Sequence, residues 1–231
     1  PPRHSTESTT AMQLPVSASS PLVRVRYGRY VIRRMRRLKL DDLADACERQ
    51  NRALLESSRA AEDAASPVQD ALADRDACDD ALDTRAKDIR HALAGRHRDA
   101  VSTPPYTRVF PEGIAHYTDA SLDLEVFRYE QLASRLDAHL SADDALRATA
   151  LPGVVEDLDC YRDAAAALDT ARIAEDAAGD RLAEVTEAWQ RQFERAYGSL
   201  IERVGKSAAE RFFPAATKPR AKKAEAPTPP A

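Results

Sequence analysis

At 231 residues the chain is long enough to bury a self-sufficient core without disulfide or metal staples. With only seven Gly, and with Ala, Leu, Arg, Asp and Glu filling most of the interior, its composition is that of helices rather than of sheets. The net charge of −4 conceals a strong segregation: residues 1–39 carry +8 and residues 206–231 carry +4, which leaves −16 on residues 40–205.

Residues 1–22, rich in Pro, Ser and Thr, show no hydrophobic periodicity. They offer too little apolar surface to offset the entropy of ordering and are expected to be a disordered tail. With Glu7 as the one acid in residues 1–40, this start also reads as an organellar transit segment. The 28 Arg against 6 Lys point instead to a GC-rich bacterial coding sequence.

Residues 23–40 form a basic Arg-rich arm in which Tyr27, Tyr30, Ile32, Met35 and Leu38 stand between the arginines. One reading docks Tyr30, Ile32, Met35 and Leu38 on the helical body while the arginines pair with acids of the same chain or of a partner. The other has Arg24, Arg26, Arg29, Arg33, Arg34, Arg36, Arg37 and Lys39, assisted by Lys218, Lys222 and Lys223 near the other end, bind phosphates of nucleic acid or of an anionic membrane face. Against the second stands the acidic body, which repels the same phosphates.

From Asp41 the pattern changes. Leu43, Cys47, Leu54, Ser58, Ala61, Ala65 and Val68, continued by Leu72, Cys78, Leu82, Ile89 and Leu93, recur at steps of three and four, an apolar stripe on a helix of about 41–98. Asp41 and Asp42 mark its start and Gly95 its end. A shorter helix, about 119–140, carries Leu122, Val126, Tyr129, Leu132, Leu136 and Leu140. After Pro152-Gly153 a third stripe runs Val154, Leu158, Tyr161, Ala165, Leu168, Leu182, Val185, Trp189, Phe193, Tyr197, Leu200 and Val204, predicting a helix of about 153–206. Its spacing near 3.5 residues favours packing at shallow crossing angles. Ser66-Pro67 and Gly179 are either turns or weak points within long helices, and the shortage of loop residues favours the latter.

Two short similarities suggest a duplication: 58–66 with 171–179, and Arg108-Val-Phe-Pro with Arg211-Phe-Phe-Pro. The Arg-x-Phe-Pro pair is expected to end helices and fold aromatic plugs back onto the bundle. The body, residues 41–213, is thus predicted to be an all-α antiparallel helical bundle or helical hairpin of long amphipathic helices, with a second tail, rich in Lys, Pro and Ala, at 214–231.

No catalytic constellation emerges. There is no Glu-x-x-His pair, the nearest arrangement being Asp88-x-x-His91, and no phosphate loop, nucleophile elbow or Cys or Ser with a nearby His. Carboxylate pairs such as Asp79-Asp80, Asp143-Asp144 and Glu175-Asp176 read as solvated faces or caps, so no metal or cofactor site is expected. Cys47, Cys78 and Cys160 lie far apart without ligand spacing and read as small packing residues in a reducing compartment. No stretch approaches the roughly 20 apolar residues of a membrane span, and a cytoplasmic location is expected. Trp189, Phe193 and Tyr197, four residues apart, share one face; core packing is the first reading and a partner or oligomer surface the second. The sequence therefore points to a non-enzymatic structural or interaction protein that self-associates or docks a partner, with a nucleic-acid-associated protein as the alternative.

Overall fold

A computed structural model describes residues 14–16 and 18–214. It is 81 % helical with no strand among the described residues, which establishes the all-α class. Seven α-helices are described: α1 Pro21–Arg37, α2 Asp41–Ala94, α3 Tyr106–Val109, α4 Ala115–Thr118, α5 Glu125–His139, α6 Ala145–Val204 and α7 Lys206–Glu210, with one 3₁₀ turn at Ala100–Ser102. Most of the two expected tails lies outside the described residues. Among the described residues no helix is long and apolar enough to cross a membrane.

The chain divides into two compact units, residues 1–61 with 178–231 and residues 62–177. Each long helix contributes to both, because α2 and α6 run unbroken through Ser66-Pro67 and through Gly179. These positions lie inside the helices and are not turns. Pro67 is exposed, so the carbonyl its missing N–H leaves unpaired stays hydrated.

In the first unit α1 begins where sequence chemistry directs. The Ser20 hydroxyl accepts from the Val23 N–H at 3.4 Å, and Pro21 takes a position whose N–H has no helical partner. A left-handed Lys39, φ 57°, turns the chain into α2, whose first turn carries Asp41 and Asp42. The inner face of α1 is Val25, Gly28, Val31, Ile32 and Met35, residues that recur every helical turn. Tyr30 and Leu38, expected to dock, are instead 44 % and 59 % exposed: Tyr30 falls on the outer face, and Leu38 lies past the last turn.

That inner face packs with Ala44, Cys47 and Leu54 of α2 and with Trp189, Phe193, Ala196 and Leu200 of α6. Gly205, φ 80°, ends α6 in the left-handed conformation that glycine adopts without strain. The short α7 then returns Phe212 and Phe213 to the same core as the expected plug. The two long helices are antiparallel here, as the Asp42–Arg203 ion pair and the Asn51–Trp189 hydrogen bond show.

In the second unit Leu82, Ile89 and Leu93 of α2 and Val154, Leu158 and Tyr161 of α6 pack with Tyr129, Leu132 and Leu136 of α5 and with Val109, Phe110 and Tyr117. The Arg-x-Phe-Pro plug thus recurs, since Phe110 is 3 % exposed. A thinner apolar contact, Val68 and Ala71 against Leu168, continues the pairing of α2 with α6.

Three boundaries differ from the periodicity. α2 stops at Ala94, four residues early, because Gly95 and the following turn close it. α5 starts at Glu125, and residues 121–124 form the turn before it, which leaves Leu122 56 % exposed. α6 starts at Ala145, capped by the Asp144 carboxylate, which accepts from the Leu146 N–H at 2.9 Å; Pro152 lies inside the helix. A Cβ at Gly153 would lie 2.7 Å from the Arg85 guanidinium that pairs with Asp157, so a larger residue there displaces the end of that side chain.

Cys78 and Cys160 form a disulfide between α2 and α6, Cα–Cα 6.0 Å, contrary to the expectation of free packing cysteines. The reason is register: antiparallel pairing brings into contact two residues 82 apart in sequence, which linear spacing does not reveal. Cys47 is free and buried, and burial pushes its thiol up to about 11.

Candidate partner-binding groove

The arginines of the basic arm do not share one environment. Arg24 is 2 % exposed and lies over the Trp189 ring, 5.9 Å from its centroid, with a guanidinium nitrogen donating to the Val16 carbonyl at 3.1 Å. It is therefore a core residue and no docking group. Arg26, Arg37 and Lys39 are exposed, and Arg34 is half-buried. Arg29, Arg33 and Arg36 border a groove of about 480 Å³ between α1 and α2. Lys218, Lys222 and Lys223 lie outside the described residues.

The groove is built by helical repetition on both sides. On α1 the residues are Val25, Arg29, Ile32, Arg33 and Arg36, and on α2 they are Glu48, Asn51, Arg52 and Leu55. Its volume falls within the range of ligand sites, and apolar side chains (Val25, Ile32, Leu55) alternate with charged ones.

Asn51 holds the two walls together. It is 6 % exposed; its side-chain amide donates to the Val25 carbonyl at 3.2 Å, and its Oδ1 accepts from the Trp189 indole N–H at 3.0 Å. Three helices are thereby tied by one buried amide whose bonds are satisfied. Gly28 permits the approach, because a Cβ would overlap the Asn51 side chain and lie 3.0 Å from the Phe193 ring.

Charge pairing within the groove is uneven. Arg36 donates to Asp45 at 2.8 Å and to Glu48 at 2.5 Å, and Glu48 holds its guanidinium above the ordinary arginine value. Those two acids are thereby engaged. Arg29, Arg33 and Arg52 are exposed and form no ion pair among the described residues. Three arginines beside apolar side chains suit a ligand with carboxylates or phosphates on an apolar body.

The ring triad belongs to the core: Trp189 and Phe193 are fully buried and stacked at 4.3 Å, and Tyr197 is half-buried with its edge on Phe213 at 5.5 Å. A surface role is closed to the first two by burial.

The second unit contains a cluster that residue counting did not single out. Glu125, on the first turn of α5, is 3 % exposed and shares a hydrogen bond with Asp79 of α2; its Oε1 has no hydrogen-bond partner. Burial, and then the adjacent Asp79, push the Glu125 carboxyl up to about 8. Asp79 is raised as well, first by burial and then by Asp83. Beside them the Tyr129 hydroxyl donates to Asp83 at 2.9 Å, and burial raises its pKa far above the usual phenol value. Asp79 is thus no solvated face. Asp144 is a cap paired with Arg96 at 2.7 Å, whereas Asp80, Asp88 and His91 are exposed. Among the described residues no group of three or more His, Cys, Asp or Glu is placed to hold a metal ion.

The fold and its groove define an all-α chain whose two long antiparallel helices serve two cores. No family model, curated protein or solved structure matches it.

Proposed function

We propose that this chain is a non-enzymatic helical interaction protein that docks an acidic partner segment in the groove between α1 and α2. What supports the reading is one observation: α1 spends its apolar face on the unit's own core, while Arg29 and Arg33, joined by Arg52, line an open groove without acid partners of their own. The half-buried Leu55 between the arginines favours a protein segment over a polynucleotide, whose backbone presents phosphates but no apolar face along its length. As for compartment, the Cys78–Cys160 bond supports an oxidising environment over the cytoplasm that the composition suggested.

The test is anisotropy of a labelled acidic amphipathic helical peptide titrated with the full chain. Binding is expected at low salt, to weaken as salt rises from about 50 to 200 mM, and to be lost in Arg29→Glu/Arg33→Glu. A DNA duplex in the same assay addresses the nucleic-acid alternative. Duplex binding with a steep salt dependence, and none of the peptide, replaces the reading with that alternative.

A further inference from the structure

We propose that the occupant of the groove is a second copy of this chain, which presents the Asp169–Ile173–Asp176 stripe of α6. The inference rests on the docking reading above and names its partner.

Ile173 is 70 % exposed, the most exposed large apolar side chain within a described helix. Asp169 and Asp176 lie four residues before and three residues after it, on the same face, and both are exposed. Neither makes an ion pair among the described residues. An apolar side chain flanked by two free carboxylates complements the charge of a groove in which three free arginines stand beside the half-buried Leu55.

Asp169 and Asp176 are seven residues apart, about 10 Å along a helix, while the unpaired Arg29 and Arg33 are four residues, about 6 Å, apart on α1, with Arg52 of α2 as the third unpaired guanidinium of the groove. Ile173 would sit beside Leu55 while the carboxylates reach Arg29, Arg33 and Arg52. Such a contact joins different surfaces of two copies, so it is heterologous. The chain's own ends do not supply the acids, since residues 1–13 balance Glu7 with Arg3 and residues 215–231 hold Glu225 against four basic side chains.

Sedimentation velocity of the full chain, in about 50 mM and 300 mM salt, tests the proposal with two charge-reversed variants, Arg29→Glu/Arg33→Glu and Asp169→Arg/Asp176→Arg. All four positions are exposed, and circular dichroism with thermal unfolding checks that each variant is folded. Wild type is expected to associate at low salt and each variant to associate about tenfold or more weakly. An equimolar mixture restores association, because each reversed surface then meets its reversed complement. Ile173→Ala, which alters no charge, also weakens it. A wild type that stays monomeric at low salt overturns the proposal, as does association that neither variant changes or that mixing fails to restore. A monomer that still binds the acidic peptide through Arg29 and Arg33 overturns the self-pairing alone, whereas loss of both removes the docking reading with it.

Discussion

Glu125→Gln is expected to stabilise the second unit at neutral pH, although it removes a charged residue from an acidic chain. In the folded protein Glu125 is buried beside Asp79 and its carboxyl is pushed up to about 8, from an ordinary value of 4.5. At pH 7 the unfolded chain carries it ionised, so folding must take up a proton. At about 1.36 kcal/mol per unit, the interval from 4.5 to 7 sets that cost at about 3 kcal/mol. Glutamine keeps the size and the donor to Asp79 and needs no proton, so the gain approaches that figure as an upper bound. The sign follows from proton binding: with a raised folded pKa, the native state holds more protons than the unfolded state between 4.5 and about 8. The part of wild-type stability that depends on Glu125 is therefore full below 4.5, falls as pH rises, and levels off above about 8. The variant lacks this slope, and the two proteins converge below pH 4.5. Hydrogen exchange of peptides from 62–94 and 125–139 at pH 5, 7 and 9, with the disulfide intact, reads the effect locally. Fluorescence of Trp189, which lies in the first unit's core, is the control. A Gln variant less protected than wild type at pH 7, or one with an unchanged pH slope, refutes the reasoning.

Gly28→Ala places a methyl group against the Asn51 side chain and Phe193, and should lower the first unit's stability by about 1–3 kcal/mol in urea unfolding followed by Trp189 fluorescence. Replacing both Cys78 and Cys160 by Ser opens a loop of 82 residues and is expected to lower stability by up to about 4 kcal/mol, read as a lower Tm that added reductant does not lower further. Gly179→Ala meets no atom within 4 Å and sits in the interior of α6, so thermal unfolding should show a gain of about 0.5–1 kcal/mol.

Helical class and the apolar stripes were legible because burial repeats with the helix. Cys47, Leu54, Val68, Leu82, Ile89 and Leu93 on one helix, and Val154, Leu158, Leu168, Trp189, Phe193 and Leu200 on the other, are buried in the register their spacing implies. Helix ends were less legible. Asp144 outcompetes Pro152-Gly153 as the start of α6 because its carboxylate caps the helix, and Pro152 lies two turns inside it, where it removes the backbone bond to the Ala148 carbonyl. What linear spacing could not reveal is pairing across the chain. Cys78 with Cys160, Asn51 with Trp189, and Glu125 with Asp79 depend on which residues two antiparallel helices or a packed α5 bring opposite each other. The groove shows the same division. Its arginines on α1 were visible as a run, but Arg24 being buried, Arg36 being paired, and Arg52 joining from α2 follow from the packing.

The two units are unequal in one respect that matters during synthesis. Residues 62–177 are contiguous, whereas the other unit is split around them. The second unit can therefore complete its core once Ala177 has emerged. Val25, Met35, Cys47 and Leu54 must wait for Trp189, Phe193 and finally Phe213. At about 5–20 residues per second the 36 residues after Ala177 take about 2–7 s to translate. During that time the apolar side of α1 lacks its α6 cover, and the arginines on its other side keep the nascent segment charged.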